Sequence, residues 1–93
     1  MDRDDADRYP YRDRDLERVR PSELRVGDLV AHAGPAGSRM YCGDPVTFVA
    51  WAGFDPTWNC DTYRVEYRAR WGEGYFVNPD RMHVYRVKTA SEA

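Results

Sequence analysis

The clearest structural pattern in the sequence is the segment Tyr63-Arg64-Val65-Glu66-Tyr67-Arg68-Ala69-Arg70-Trp71. Apolar side chains occupy every second position, and charged side chains occupy the positions between them. Successive side chains of an extended chain point to opposite faces, so this alternation predicts a strand with one buried and one solvated face. The side chains expected to be buried are those of Tyr63, Val65, Tyr67 and Trp71. Those expected to be exposed are Arg64, Arg68 and Arg70.

Four more strands are predicted around this one, giving five at residues 28–33, 46–52, 63–71, 75–77 and 82–87. Segments rich in glycine and proline separate them: long loops over 34–45 and 53–61, a tight turn at Gly72–Gly74 and a short turn over 78–81. No helical periodicity lies between the strands. This pattern indicates an all-β class and a small barrel or sandwich.

The second predicted strand is apolar on both faces, although a small barrel has only one interior. We assign Val46, Phe48, Ala50 and Ala52 to the core, which leaves Val49 and Trp51 outside. An exposed Trp51 requires a cover. Three covers are open: a second copy of the chain, a foreign partner, or the N-terminal segment through Tyr9, Tyr11, Leu16 and Val19.

Residues 1–20 differ in composition, with six arginines and seven acidic residues and few apolar side chains. Such a segment buries too little surface to offset its ordering entropy. We expect a solvated tail or, alternatively, one short helix over Arg12–Arg20 that ends at Pro21. The domain division is therefore a charged extension (1–20), a β-domain (21–88) that opens with a single turn at Ser22–Leu24, and a short tail (89–93).

Two segments carry a family resemblance. The sequence VGDLV (Val26–Val30) resembles the first strand of the bacterial SH3-like, KOW and Tudor group, and GYFVNPDRMHVY (Gly74–Tyr85) resembles the end of SH3-like barrels. The resemblance extends over about residues 24–87 and implies a five-stranded SH3-like barrel. The signature of peptide-binding SH3 domains is absent, so polyproline binding is not implied.

The length, net charge and residue composition of the chain limit the functions that it can have. The 93 residues suffice for one domain, and the net charge of −2 argues against a protein whose main task is to neutralise phosphates. The 14 basic residues comprise 13 arginines and one lysine, which indicates a GC-rich genome such as that of an actinobacterium or its phage. The charged N-terminus, the two cysteines and the lack of a long apolar run predict a cytoplasmic protein without a membrane partner.

The four soft metal ligands, His32, Cys42, Cys60 and His83, lie 10, 18 and 23 residues apart. Zinc ligands usually come in close pairs, so we predict neither a metal nor another cofactor. A Cys42–Cys60 disulfide is not expected either. In a hairpin these residues flank opposite ends of one strand, roughly 20 Å apart at about 3.3 Å per residue, and a disulfide needs Cα atoms within about 7 Å.

Catalysis has no visible basis in the sequence. A nucleophile needs a base within hydrogen-bond reach, and no nucleophile elbow or local Cys–His signature is present. Asp55 and Asp61 flank an aromatic loop, but aspartates beside Pro, Thr and Asn usually form turns. We therefore predict no enzymatic activity and keep an enzyme as the most distant alternative.

The first functional hypothesis is a non-catalytic module that binds a protein or peptide, with homodimerisation as a further option. Aromatic side chains on loops reduce solubility unless they pack or bind. The ligand would contact Tyr41, Phe54, Trp58 and Tyr75, and Asp55 or Asp61 would select a basic group.

The alternative hypothesis is a nucleic-acid-binding barrel. Arginines on one face of the central strand, together with one on the last strand, provide phosphate contacts beside aromatic rings. The candidate residues are Arg64, Arg68, Arg70 and Arg86. Salt dependence separates the two hypotheses, because phosphate binding weakens steeply with salt.

Overall fold

The computed structural model describes residues 7–88, and its architecture is all-β, as predicted. Two single-turn 3₁₀ helices, Asp13–Asp15 and Pro21–Glu23, join the strands of the N-terminal part. The strands are β1 (Tyr11–Arg12), β2 (Leu16–Val19), β3 (Leu29–Ala33), β4 (Met40–Asp55), β5 (Cys60–Ala69), β6 (Gly72–Pro79) and β7 (Val84–Val87). Within residues 7–88, no helix has the length and apolar character needed to cross a membrane.

The strands form one antiparallel sheet in the order β2-β7-β3-β4-β5-β6, with β1 paired to β4. Strand β4 is 16 residues long and belongs to both halves of the sheet, since Tyr41–Pro45 pair with β3 and Val46–Asp55 with β5. The predicted five-stranded closed barrel is therefore wrong in two respects. Residues 7–88 form seven strands, and in this part of the chain the outermost strands β2 and β6 do not pair with each other, so the sheet stays open.

The N-terminal segment supplies the two extra strands, β1 and β2, in place of the predicted tail or helix. Strand β2 pairs with β7 from Leu16↔Val87 to Val19↔Val84. Val19 is 4% exposed and belongs to the core. A polar segment is ordered here because it adds to an existing sheet edge, where backbone hydrogen bonds and the burial of Val19 replace a core of its own.

The core lies on one face of the sheet, called here the inner face. Its central cluster is aliphatic, and larger side chains that are partly exposed pack around it. The cluster is Val19, Leu24, Val30, Val46 and Val65, and the surrounding set is Val49, Tyr67, Phe76 and Val84. Met40, Ala69 and Val87 are buried as well.

A β-bulge in β4 corrects the predicted faces of this strand. Val46 pairs with Tyr67 and Phe48 with Glu66, so Thr47 is an extra residue without a partner in β5. The bulge turns both Val46 and Val49 toward the core, and Phe48 is 45% exposed on the opposite, outer face. The assignment of Phe48 to the core is wrong. The same holds for Ala52, which is exposed, and Ala50 shares the outer face with Phe48. The assignment of Val49 to the outside is wrong as well, since it packs on the core. Trp51 is exposed, as expected, but its pairing with Tyr63 places it on the same face as Val49 and not on the outer face.

The predicted burial along the central strand is confirmed in part. Val65 is fully buried, Tyr63 and Tyr67 are partly buried, and Arg68 and Arg70 are exposed, whereas Arg64 is partly buried.

Trp71 departs from this alternation because β5 ends at Ala69, which places the indole in the turn with 83% of its surface exposed. The predicted turn at Gly72–Gly74 is therefore displaced by two residues. Gly74 lies within β6, where a Cβ would come within 2.8 Å of the Tyr67 ring.

We predict that Val19→Ala lowers the free energy of unfolding by about 1.5–3 kcal/mol, because it removes fully buried apolar surface. The matched control is Val26→Ala at a site that is 70% exposed, where a change within about 0.5 kcal/mol is expected. Urea denaturation measures both. If both substitutions lowered the free energy of unfolding by the same small amount, the N-terminal segment would not be part of the core.

Candidate functional site

The β4–β5 hairpin tip holds four of the six residues predicted to bind a ligand. Phe54 pairs with Asp61 and Asp55 with Cys60, and Trp58 lies in the turn between the strands. Both aromatic rings are exposed, by 57% for Phe54 and 42% for Trp58. Asp55 Oδ1 accepts a hydrogen bond from the Thr57 amide at 2.9 Å, which closes the turn.

The other two predicted binding residues lie elsewhere. Tyr41 pairs with Tyr11 of β1 and Ala33 of β3, thirteen residues before Phe54 on the same strand. Tyr75 lies on β6 opposite Glu66. The structure therefore does not bring the four aromatic side chains of the sequence hypothesis into one groove.

Tyr75 instead belongs to a patch on the outer face of β4, β5 and β6. Cross-strand pairing forms two rows, Phe48–Glu66–Tyr75 and Ala50–Arg64–Val77. We call these six residues the outer patch. Its large apolar side chains are 45–59% exposed: Phe48, Tyr75 and Val77.

Arg64 and Glu66 lie at the centre of the outer patch, and their opposite charges neutralise each other. Arg64 Nε donates to Glu66 Oε2 at 2.9 Å, and the guanidinium carbon lies 4.0 Å from the centroid of the Tyr75 ring. Such an exposed pair contributes little stability, and the Arg64 guanidinium makes a cation–π contact with the Tyr75 ring. The patch therefore presents apolar surface around a charge pair whose two members compensate each other.

The two edges of the sheet differ in their protection. Strand β2 has four residues and carries Glu17 and Arg18, which are typical defences against unwanted strand pairing. Strand β6 has eight residues, and its register with β5 runs without a bulge. Between Gly74 and Asn78 it carries neither a charge nor a proline. Within residues 7–88, the only strand paired with β6 is β5.

The four arginines predicted to bind nucleic acid have different surroundings in the structure. Arg86 is partly buried and pairs with Glu17 at 2.9 Å and with Asp28 at 3.2 Å, so it joins β7 to β2 and to the start of β3. Arg64 is held by the outer patch. The other two arginines, Arg68 and Arg70, are exposed beside Trp71 and line a cavity of about 820 Å³.

A second cluster, His32, Cys42 and Asp44, lies on the inner face beside the core. His32 of β3 is directly opposite Cys42 of β4, and Asp44 lies two residues further along β4 on the same face. The His32 Nδ1–H donates to Asp44 Oδ2 at 2.8 Å, and the Cys42 thiol donates to the same oxygen at 3.7 Å. All three side chains are partly buried.

This cluster does not favour nucleophilic catalysis. Burial raises the pKa of the Cys42 thiol above its ordinary value of 9.0, and the nearby negative charge and hydrogen bond of Asp44 raise it further. At neutral pH the thiol is protonated, and its proton points at a carboxylate. His32 hydrogen-bonds to Asp44 as well. A nucleophilic cysteine instead needs a base or a positive charge that stabilises the thiolate.

The cluster could not be predicted from the spacing of ligands in the sequence, because its potential metal ligands lie on two different strands. His32 and Cys42 are ten residues apart in sequence, and only the β3–β4 register makes them neighbours. The available signal was the Cys42-x-Asp44 spacing, which puts two potential ligands on one face of any strand. Phe48 and Val77 of the outer patch were missed as well.

No protein-family model, no curated protein and no solved structure matches this chain.

Cys42 and Cys60 are both free, as predicted. Cys42 opposes His32 in β3, whereas Cys60 opposes Asp55 at the hairpin tip. We expect alkylation under denaturing conditions without reductant to modify two thiols, as measured by the mass of the intact protein. A protein that takes up no alkylating reagent would contradict the free thiols.

Proposed function

We propose that this protein is a non-catalytic interaction module that binds an extended segment of a partner protein along strand β6. The observation that carries the proposal is the edge of β6, which is uncharged and free of proline between Glu73 and Pro79, beside an exposed apolar surface. Natural edge strands are usually short, charged, bulged or interrupted by proline. The segment Gly74–Asn78 has none of these features.

Binding by strand addition uses two kinds of contact. The backbone of the partner segment would form hydrogen bonds with the free edge of β6, which gives affinity that is independent of sequence. Alternate side chains of that segment would lie on the outer patch, against Tyr75 and Val77. Exposed aromatic rings are the side chains that most often dominate binding energy at interfaces.

The charges around β6 favour a basic partner segment. Glu73 lies on β6 itself, opposite Arg68 of β5, and exposed Asp61 lies at the hairpin tip. The positive charge of Arg64 is already compensated by Glu66. Lysine or arginine flanking an apolar segment would complement Glu73 and Asp61.

The fold-level expectation of an SH3-like arrangement is part of the proposal. Pairing of β7 with β3 puts the last strand beside the first strand of the predicted barrel, and β4 contributes to both halves of the sheet. These neighbour relations support the resemblance. In this reading β1 and β2 are additions to the five strands that the resemblance implies.

A second candidate function is binding of single-stranded nucleic acid at the β5–β6 turn. The specific observation in its favour is that Arg68 and Arg70 adjoin the highly exposed Trp71 on the 820 Å³ cavity. Stacking on an aromatic ring beside arginines is the usual way to bind single strands. The acidic residues Asp7 and Asp44 line the same cavity and weaken this candidate.

The test is binding of extended peptides selected from a random display library against the intact protein. A selected peptide, made synthetically, should bind Tyr75→Ala at least about tenfold more weakly than the unaltered protein, a loss of about 1.4 kcal/mol. The matched control is Tyr85→Ala. Tyr85 is 51% exposed on β7, against 59% for Tyr75. Its replacement should leave the affinity unchanged.

Three results would overturn the proposal. One is equal weakening by both tyrosine substitutions. Another is a dimer in sedimentation experiments that Val77→Lys dissociates, which would assign β6 to a second copy. The third is tight binding of an oligonucleotide that falls roughly tenfold between 50 and 200 mM salt and is lost in Trp71→Ala, which would favour the second candidate.

A further inference from the structure

We propose that His32, Cys42 and Asp44 form a binding site for a divalent transition-metal ion, with Zn²⁺ as the preferred ion. The three residues offer a nitrogen, a sulfur and an oxygen donor on one face of two paired strands. Zinc is the borderline-soft ion that accepts all three donor types. The site is separate from the outer patch, since it lies on the inner face of the sheet.

The donor geometry is close to that of a metal site. The three ligand atoms all lie within 4.8 Å of one another, with 2.8 Å from His32 Nδ1 to Asp44 Oδ2 and 3.7 Å from Cys42 Sγ to the same oxygen. Tetrahedral zinc with ordinary bond lengths separates such ligand atoms by about 3.4–3.6 Å. The two contacts to Asp44 Oδ2 differ from these separations by about 0.6 Å and about 0.1 Å, and the separation of the His32 and Cys42 ligand atoms differs by at most about 1.2 Å.

The backbone holds these donors in place before any ion binds. Cys42 and Asp44 lie on β4 within the segment that pairs with β3, and His32 lies on β3 itself. The imidazole ring also packs on Tyr67, with ring centroids 4.6 Å apart. Ligands on paired strands lose less conformational freedom on binding than ligands on loops, which favours affinity.

The hydrogen bonds of the cluster are those that a cation would replace. Asp44 accepts hydrogen bonds from both the imidazole and the thiol. When the ion binds, the thiol proton goes to solvent and the thiolate becomes a ligand. The proton on His32 Nδ1 leaves that nitrogen for Nε2 of the same ring or for solvent. Binding should therefore release at least one proton for each ion.

The fourth coordination position is open. His32, Cys42 and Asp44 all line a cavity of about 220 Å³, whose wall also includes Tyr67, Trp71 and Glu73. Three protein ligands with an accessible fourth position are typical of zinc sites that bind water or an exogenous ligand. The structure therefore assigns an ion with one exchangeable position.

The experiment titrates Co²⁺, a spectroscopic substitute for Zn²⁺, into the intact chelator-treated protein. A Cys ligand gives thiolate-to-cobalt charge-transfer absorption in the near ultraviolet, and we expect this band to saturate at one ion per chain and to be displaced by Zn²⁺. Cys42→Ser should abolish the band and weaken Zn²⁺ binding in calorimetry by at least about tenfold. Asp44→Asn should weaken binding but keep the band.

The chain provides matched controls, since Cys60→Ser and His83→Gln change the other cysteine and the other histidine. Both should bind as the unaltered protein does. The proposal is overturned by no saturable binding, by a band that survives in Cys42→Ser, or by equal losses in Cys60→Ser. Circular dichroism of each variant separates a lost ligand from a lost fold. If Cys42→Ser does not fold, an unaltered band in Asp44→Asn at unaltered affinity would still overturn the proposal.

Discussion

Strand β4 has to leave β3 and join β5 while it keeps its aliphatic side chains in one core, and the bulge at Thr47 satisfies that requirement. Without the extra residue, the side chains after Val46 would alternate so that Phe48 entered the core and Val49 faced solvent. With it, Val46 packs on the inner face opposite Tyr67, and Val49 does so opposite Val65. The core of this small domain depends on both contacts.

The same bulge separates the two surfaces to which a role is assigned. Cys42 and Asp44 precede it and share the inner face with Val46, which brings them beside His32 and Tyr67. Phe48 follows it and shares the outer face with Tyr75 through Glu66. One irregular residue thus assigns the metal-ligand cluster and the outer patch to opposite sides of the sheet.

Strong period-two alternation made part of the fold predictable from the sequence. The central strand and Leu29–Ala33 follow their patterns because one face of each packs on the core. The bulge could not be predicted from the sequence, since the residues before and after Thr47 are apolar and show no change in alternation. The turn at Arg70–Trp71 was missed because Gly72 and Gly74 offered a conventional alternative, although the Tyr67 ring is what requires glycine at position 74.

The functional surfaces were less predictable because they depend on register between strands. The cluster joins residues ten positions apart through β3–β4 pairing, and the outer patch needs the bulge to expose Phe48. The N-terminal segment was misjudged for a related reason. Its composition indicates solvation, but strand addition to β7 requires only a few apolar contacts.

The bulge turns Val49 inward and Phe48 outward, and both assigned surfaces depend on this arrangement. The most direct measurement compares the free energies of unfolding of Phe48→Lys and Val49→Lys by urea denaturation. We predict that Val49→Lys costs about 3 kcal/mol or more, because it places a charge without a partner at the core. Phe48→Lys, on the exposed face opposite Glu66, should cost less than about 1 kcal/mol. A larger loss for Phe48→Lys than for Val49→Lys would contradict the bulge and, with it, the exposed outer patch.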